Sequence, residues 1–309
     1  MVSRDTGIFK RKRKTAIRDS FGDKVFMGAV YFFLTFCLII VLYPLIYVVS
    51  ASLSEPNAVI TGQVWLLPVN PTLRGYTAVF DDPSILSGFV NSFIYMFVGT
   101  AVSLFLTVLA AYPLSRKELM GRNFIMLLFV FTMLFSGGLI PTYILLRDLK
   151  MLNTRWAIII PSALSVWNLI ITKTYYQSVL SDELYEAAYL DGCGDFSCLI
   201  KIVLPLSGPI LAVMGLYYAI GQWNAYFSAL VYLRNSSLFP LQMVLRDMLV
   251  MNVMNSQMTR DATVLERVQG MAQLLRYSTV VVSCIPLMAL YPFVQKYFVK
   301  GVMIGAIKG

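Results

Sequence analysis

Long stretches without a charged residue dominate the chain and determine its predicted architecture. Six runs contain no Asp, Glu, Lys or Arg: residues 25–50, 86–114, 123–146, 156–172, 202–233 and 277–295. Each run reaches or approaches the ~20 residues that a helix needs to cross about 30 Å of hydrocarbon. The pattern therefore predicts an all-α membrane protein with six transmembrane helices.

The composition favours a membrane protein over a water-soluble domain. Of the 309 residues, 58% are hydrophobic and 13% are charged, and the mean hydropathy is +0.71. Soluble domains are about 45–50% apolar and about 25% charged. The first run is also longer than the ~7–15 apolar residues of a cleaved signal peptide. We expect it to be retained as a membrane anchor.

Positive charge is concentrated ahead of the first run. The net charge is +9, and residues 1–24 contain eight Lys and Arg residues. A basic cluster just before a first span is typical of the cytoplasmic side, and this position argues against nucleic acid as a partner. With six spans, both termini are then cytoplasmic. The orientation rests on this tail, because the other inner segments hold seven Lys and Arg against nine in the outer segments.

The runs and the connections between them suggest four parts of the chain. These are a basic cytoplasmic tail (1–24), a first transmembrane helix with an outer loop (25–85), a five-helix membrane core (86–298) and a cytoplasmic C-terminal tail (299–309). The longest inner connection covers about residues 179–201. The longest outer connection, 234–276, is polar enough to form a surface helix and loop.

Several kinds of chemistry are missing from the sequence. The chain has no His, and no Asp or Glu lies in an apolar run, which argues against the proton relay of an ion-coupled carrier. A Ser-His-Asp triad is therefore impossible, and no phosphate-binding G-x-x-x-x-G-K-[ST] loop occurs. The four cysteines have no metal-site spacing, and we interpret them as free thiols. We predict no catalytic residues, no metal site and no cofactor bound by this chain.

Polar residues inside the runs leave two interpretations open. At helical spacing, Tyr218, Gln222 and Tyr226 of the fifth run fall on one face. Asn224 in the same run and Asn168 in the fourth run add amide groups. Such a set suits the hydroxyls and C–H faces of a sugar. Aromatic residues are equally at home at membrane interfaces, and amides also join helices.

Lys173, just after the fourth run, is the only charge that we place well inside a predicted helix, near its cytoplasmic end. Its long side chain suits snorkelling to the interface, and its charge leaves an acidic sugar possible as a ligand.

The inner connection has the pattern of two short helices around a glycine turn. Ser181 suits an N-cap, and Asp182 and Glu183 suit the first turn of a helix. That helix should end near Gly192, whose freedom at positive φ suits a C-cap, and a second helix should start near Asp195. By periodicity alone, a simple amphipathic surface helix remains the alternative.

The spacing within this connection resembles the E-A-A motif of ABC importer permeases. It matches in full: Glu186-Ala187-Ala188, three residues, Gly192, nine residues, then Ile202-x-Leu204-Pro205, with Asp191 as in sugar importers. Further similarities are Asn91-Ser92, Trp223-Asn224, Tyr291-Pro292-Phe293 and the terminal Lys300-Gly301 to Lys308-Gly309. The stretch from Pro141-Thr142-Tyr143 to Leu152-Asn153-Thr154 resembles the branch that handles oligosaccharides and polysaccharide fragments. Ser181 departs from relatives, which often carry Pro there.

This resemblance implies a type I ABC importer transmembrane domain with a cytoplasmic coupling helix, the coupling segment being residues 181–205. It implies four kinds of partner: a second homologous permease chain, two ATPase subunits that hold ATP and Mg²⁺, an extracytoplasmic solute-binding protein and a carbohydrate. The implied ATPase-contact residues are Glu186, Ala187, Ala188, Asp191, Gly192, Ile202, Leu204 and Pro205. Lys308 and Gly309 are the implied tail contact with the ATPase dimer.

Three rival functions follow from the same sequence. An ion-coupled secondary transporter predicts uptake without ATP, and a membrane-embedded enzyme predicts turnover by the purified chain. The missing carboxylates and His speak against both. An ABC permease for a non-sugar solute is opposed only by the terminal pattern and by residues 141–154.

Overall fold

In a computed structural model, the protein is described for residues 20–258 and 262–306. Contacts divide the chain into two units, one ending at Tyr47 and one beginning at Val48. Every regular element in the described part is helical, as predicted. The helices are α1 (Phe21–Ser52), α2 (Pro56–Ile60), α3 (Arg74–Asp81), α4 (Pro83–Ser115), α5 (Arg122–Leu134), α6 (Leu139–Asp148), α7 (Trp156–Ile159), α8 (Val166–Val179), α9 (Asp182–Leu190), α10 (Asp195–Cys198), α11 (Leu204–Leu206), α12 (Gly208–Trp223), α13 (Tyr226–Tyr232), α14 (Leu241–Met258) and α15 (Ala262–Ala306).

Three of the described helices are long and apolar enough to cross a membrane alone. They are α1, α4 and the Gly270–Pro292 part of α15. Two further spans are possible as bent pairs, α5 with α6 at an angle of 111°, and Asp195–Leu206 with α12 at 82°. The structure thus gives between three and five spans by this criterion, and the predicted count of six is not confirmed.

The fourth apolar run, 156–172, is not one continuous helix. It forms α7 and the start of α8, separated by residues 160–165. Pro161 lies in this break, and a proline cannot donate the backbone hydrogen bond of a helix interior. The absence of charge predicted this segment's environment but not the interruption of its helix.

The fifth apolar run, 202–233, is also interrupted. It bends at Ser207, and α12 ends at Trp223, where the Asn224 side chain donates to the Ile220 carbonyl at 3.0 Å. Tyr226 then starts a new helix after a tight turn in which its N–H donates to the Asn224 carbonyl at 2.8 Å. The prediction that Tyr226 shares a helical face with Tyr218 and Gln222 is therefore wrong.

Helix α4 is at the centre of the second unit. It packs against α8, α12 and α14, and the contact with α14 lies near its first turns, where Ser92 accepts the Leu241 N–H. Near its end, its buried residues join α8, α9 and α12 in one apolar cluster that includes Tyr112, Tyr176, Tyr185 and Met214. Near its start, a second cluster includes Ile85, Met96, Trp223 and Leu241. The two ends of α4 therefore hold two different groups of elements in place.

The loop that follows α1 is folded against the last helix. Helices α2 and α3 pack on α15, and the Ser278 hydroxyl donates to the Ser52 carbonyl at 3.4 Å. The Ser50 hydroxyl donates to the Leu66 carbonyl at 2.6 Å, which fastens the returning chain. The connection 234–276 contains α14 and the first turns of α15, and Leu241 at the start of α14 is fully buried.

Candidate functional site

The predicted glycine turn lies where the sequence placed it. Helix α9 ends at Leu190, and Gly192 has a φ of +77°, the left-handed conformation of a helix C-cap. Helix α10 begins at Asp195 and continues through a π-helix at Leu199–Val203 into α11. We call residues 181–205 the E-A-A segment.

One detail of this segment differs from the prediction. Ser181 occupies the N-cap position of α9 with extended backbone, but its side chain makes no capping hydrogen bond. Asp182 and Glu183 do lie in the first turn, where the N-terminal end of the helix dipole favours negative charge. The start of α9 is therefore favoured by two acidic residues in its first turn, and not by a capping hydrogen bond from the Ser181 hydroxyl.

Helix α9 has one buried face and one exposed face. Tyr185 and Ala188 are buried, whereas Leu190 is 90% exposed. The eight predicted contact residues divide in the same way. Five are exposed (Glu186, Ala187, Asp191, Gly192 and Pro205), two are half-buried (Ile202 and Leu204), and Ala188 is buried. The exposed ones could be reached by another molecule, while Ala188 holds the helix to its own chain.

A basic turn that follows α4 contacts helix α9. The guanidinium carbon of Arg116 lies 3.6 Å from the centre of the Tyr185 ring, and Arg116 Nη2 donates to the Tyr189 hydroxyl at 3.4 Å. The Tyr189 hydroxyl in turn donates to the Asp195 carboxylate. Lys117 forms an ion pair with Asp182 at 2.5 Å. We call residues 115–118 the basic turn.

Electrostatics in this region keep the tyrosines neutral and the carboxylate charged. Burial raises the pKa of Tyr185 to about 12, although the nearby Arg116 guanidinium opposes the shift. The hydrogen bond to Asp195 raises the pKa of Tyr189, and the hydrogen bond from Lys117 lowers the pKa of Asp182. The contact of Arg116 with Tyr185 is therefore a cation over a neutral ring.

The sequence did not single out the basic turn as part of this site. Arg116 and Tyr189 are 73 residues apart, and the sequence indicated only a short basic connection between two apolar runs. An Arg beside a membrane span and a Tyr pair at i and i+4 were the available signals.

A line of polar side chains crosses the interior between α4, α12 and the break at 160–165. The Tyr218 hydroxyl lies 2.7 Å from Thr107 Oγ1 and accepts the Ser165 N–H at 3.2 Å. Gln222 Nε2 donates to the Ser162 hydroxyl at 2.9 Å. We call Thr107, Ser162, Ser165, Tyr218 and Gln222 the polar seam. The seam supplies hydrogen-bond partners to the interrupted fourth run, as bundles do around non-helical backbone at membrane depth.

The residues predicted for a substrate path are divided by this arrangement. Asn168, Tyr218 and Gln222 are buried, at 6%, 6% and 3% exposure, whereas Asn224 and Tyr226 are exposed. The structure brings Tyr218 and Gln222 together in the seam and leaves Asn224 and Tyr226 beyond the end of α12. Lys173 is half-buried on α8. The role of these residues in a path stays a prediction.

At the other end of α4, three side chains fasten the connection between α13 and α14. Asn91 Nδ2 donates to the carbonyls of Ser237 and Phe239 at 2.8 and 3.2 Å. The Tyr95 hydroxyl donates to the Leu238 carbonyl at 2.8 Å, and Ser92 Oγ accepts the Leu241 N–H at the same distance. Asn91-Ser92, one of the similarities noted above, thus has a structural role.

Replacing Asn91 by leucine is expected to lower the free energy of unfolding by about 1–2 kcal/mol. The substitution leaves two carbonyls without their amide donor and removes the acceptor of Arg155 Nη2, which lies 3.0 Å from Asn91 Oδ1. Thermal unfolding of the purified chain in detergent measures the change. Ser87→Ala is the control, because the exposed Ser87 hydroxyl donates only within its own turn, to the Ser84 carbonyl. Equal unfolding midpoints for the two variants would refute this role of Asn91.

The C-terminal contact residues, the cysteines and a metal site are the remaining features considered in the sequence. Lys308 and Gly309 lie outside the described residues. The cysteines are free thiols, as predicted. Within the described ranges, no group of three or more Cys, Asp or Glu is placed to hold a metal ion.

The helical fold, the apolar helices and the E-A-A segment with its exposed face are those of a transmembrane permease subunit. The sequence comparison names its family: residues 119–304 match the binding-protein-dependent transport system inner membrane component. The chain belongs to this family. The predicted class is confirmed, and membership argues against both an ion-coupled carrier and a membrane enzyme.

Individual relatives cover nearly the whole chain. It is 39% identical over 290 residues to the polygalacturonan/rhamnogalacturonan transport system permease protein YtcP of Bacillus subtilis, covering 93% of this chain and 99% of that one. It is 38% identical over 270 residues to Protein LplC of the same bacterium, covering 87% and 90%. Among solved structures, it is similar to a chain of a bacterial ABC transporter involved in the import of the acidic polysaccharide alginate. The TM-score is 0.82, at 33% identity, with 92% of this chain and 100% of that one covered.

Proposed function

We propose that this chain is a permease subunit of an ATP-driven ABC importer that carries oligosaccharides or polysaccharide fragments into a bacterial cell. The observation that carries the proposal is the E-A-A segment, with its full motif spacing, its left-handed Gly192 and the exposed face of α9. An exposed helix with an apolar residue such as Leu190 at its end suits the groove of a partner protein.

The proposed cargo is an acidic carbohydrate. YtcP is named for polygalacturonan and rhamnogalacturonan, and the similar solved structure is described as importing alginate. These polymers carry carboxylates, and Lys173, half-buried on α8, has the charge that attracts them.

The remaining partners belong to the same proposal. ATP and Mg²⁺ bind to two separate ATPase subunits, which carry out the hydrolysis, and a second permease chain forms the other half of the path. A solute-binding protein delivers the carbohydrate at the outer face, where the 234–276 connection and the loop after α1 lie. Both termini are cytoplasmic, and Lys308 and Gly309 contact the ATPase dimer.

The substrate path in this proposal uses the five polar residues in two ways. Asn224 and Tyr226 are exposed at the end of α12 and are the ones that contact sugar directly. Asn168, Tyr218 and Gln222 are buried, and they support the shape of the path from behind. Substitution of the second group therefore affects folding as well as transport.

The test is uptake by the complete transporter reconstituted in vesicles with both permeases, both ATPases and the binding protein. We expect ATP-dependent uptake of oligogalacturonides at least tenfold above that of neutral oligosaccharides of the same length. Vesicles loaded with ADP are the control. Equal uptake with ADP contradicts an ATP-driven importer, and a preference for neutral sugars contradicts the acidic cargo. If the transporter imports neither oligogalacturonides nor neutral oligosaccharides but does import a non-sugar solute, the carbohydrate proposal is contradicted.

A further inference from the structure

The basic turn contains an arginine whose side chain is unusually buried for a connection between spans. Arg116 is the residue that follows α4, and its side chain is 11% exposed, whereas that of its neighbour Lys117 is 71% exposed. A buried guanidinium needs partners that offset its lost hydration. One partner of Arg116 is Glu118 on the same turn, whose carboxylate lies 3.3 Å from Arg116 Nε, and the aromatic partners lie on the E-A-A segment.

Arg116 contacts two aromatic residues one helical turn apart. Its guanidinium lies 3.6 Å from the centre of the Tyr185 ring and 5.6 Å from that of Tyr189. It also donates to the Tyr189 hydroxyl, which donates to Asp195 on the next helix. The Arg116 side chain thus contacts α9 directly and is connected to α10 through the Tyr189 hydroxyl.

The backbone of Arg116 is fixed to the end of α4. Its N–H donates to the Pro113 carbonyl at 3.1 Å, and its carbonyl accepts from Arg122 Nη1 at 3.3 Å. A second link runs from Tyr112 on α4, whose hydroxyl donates to the Asp195 carbonyl at 3.2 Å. A displacement of α9 therefore acts on α4 through contacts of 3 to 4 Å, and α4 is the helix on which the polar seam and the fastening at Asn91 are built.

We propose that Arg116 is a positioning residue that connects the E-A-A segment to α4, so that movement of the segment by the ATPase changes the permeation path. The inference rests on the proposed function. It adds a residue that precedes the stretch matched by the family, which begins at residue 119. Arg116 links the segment to the helix at the centre of the fold, whereas five of the eight predicted ATPase-contact residues are exposed.

The chemistry of the contact requires arginine in particular. A planar guanidinium stacks on a ring and donates in its own plane at the same time, whereas a lysine ammonium is a compact and strongly hydrated charge. The neighbouring ion pair of Lys117 with Asp182 is largely exposed, and exposed pairs of this kind contribute little. Lys117 is therefore a matched control on the same turn.

The experiment compares four versions of the complete transporter in vesicles: the natural chain, Arg116→Ala, Arg116→Lys and Lys117→Ala. The measured quantities are subunit assembly, ATP hydrolysis and oligogalacturonide uptake, from which the number of ATP molecules hydrolysed per sugar follows. We expect Arg116→Ala to assemble and hydrolyse ATP within twofold of the natural chain while uptake falls about tenfold, a factor typical of one desolvated cation–ring contact. Uptake by Arg116→Lys should lie between that of the natural chain and that of Arg116→Ala. Lys117→Ala should stay within twofold of the natural chain in assembly, ATP hydrolysis and uptake.

A second pair of variants changes Tyr185, the ring partner of Arg116. Tyr185→Phe keeps the ring that lies under the guanidinium and removes only the hydroxyl, so coupling should be unchanged. Tyr185→Leu removes the ring and should raise the ATP hydrolysed per sugar as Arg116→Ala does. If Arg116→Ala fails to assemble, the difference in ATP hydrolysed per sugar between Tyr185→Phe and Tyr185→Leu tests the role of the Arg116–Tyr185 contact.

Two outcomes overturn the inference: an unchanged ATP-to-sugar ratio in Arg116→Ala or Tyr185→Leu, or a loss of assembly in all these variants that accounts for the whole fall in uptake. Absence of ATP-dependent uptake by the natural chain is a different result, because it contradicts the proposed function.

Discussion

Replacing Gly192 by proline is expected to abolish ATP-driven uptake while the chain remains inserted in the membrane. Gly192 has a φ of +77°, and its N–H donates to the Tyr189 carbonyl at 3.0 Å. Proline is restricted to a φ near −65° and has no N–H, so the turn between α9 and α10 cannot form as it is. The spans do not depend on this turn, and insertion should be unaffected.

The measurement is ATP-dependent uptake in reconstituted vesicles, with the amount of membrane-inserted chain determined in parallel. Gly194→Ala is the matched control, because Gly194 lies in the same loop at a φ of −74° with open space around it. Glu186→Lys tests the exposed face without altering the turn and should uncouple ATP hydrolysis from uptake. Normal uptake by Gly192→Pro and Glu186→Lys would show that the E-A-A segment is not the ATPase contact.

Replacing Gly99 by valine is expected to destabilise the membrane core by about 3 kcal/mol, through overpacking and a lost hydrogen bond. A Cβ at Gly99 would lie 2.6 Å from Gln222 Cδ. Gln222 is buried at 3% exposure, and its amide donates to Ser162. Moving this side chain opens the polar seam, so both the unfolding midpoint and uptake should fall.

The control for this prediction is Gly215→Val on α12. A Cβ at Gly215 would meet Leu104 Cδ1 at 3.5 Å, an ordinary contact. Thermal unfolding and the recovery of monodisperse protein compare the two variants directly. If Gly99→Val and Gly215→Val unfold at the same temperature, the close approach of α4 and α12 at Gly99 does not limit stability.

Sequence reasoning was most successful where a local rule dictates structure. The turn at Gly192 required positive φ, the charged first turn of α9 favoured a helix start, and the apolar runs indicated lipid. Each of these depends on a few consecutive residues. The helical fold and the placement of α9 and α10 were therefore predictable.

The predictions that failed concern continuity and distant contacts. Absence of charge reports the surroundings of a segment but not whether its helix is unbroken, so the interruptions at 160–165 and at Asn224 were missed. The break near Pro161 is stable because Tyr218 and Gln222, from another helix, supply hydrogen bonds to Ser165 and Ser162. Arg116 was overlooked for the same reason, since its partners on α9 are brought to it only by the fold.

The length of α15 has a consequence for how the two sides of the membrane are connected. Its 45 residues extend about 68 Å at 1.5 Å per residue, more than twice the ~30 Å thickness of the hydrocarbon layer. In the proposed orientation, one helix packs against α2 and α3 outside and continues to the cytoplasmic side. Pro286 and Pro292 lie within it and remove backbone hydrogen bonds to residues four positions earlier. Each proline is therefore a point at which this long helix can bend without breaking a further backbone hydrogen bond.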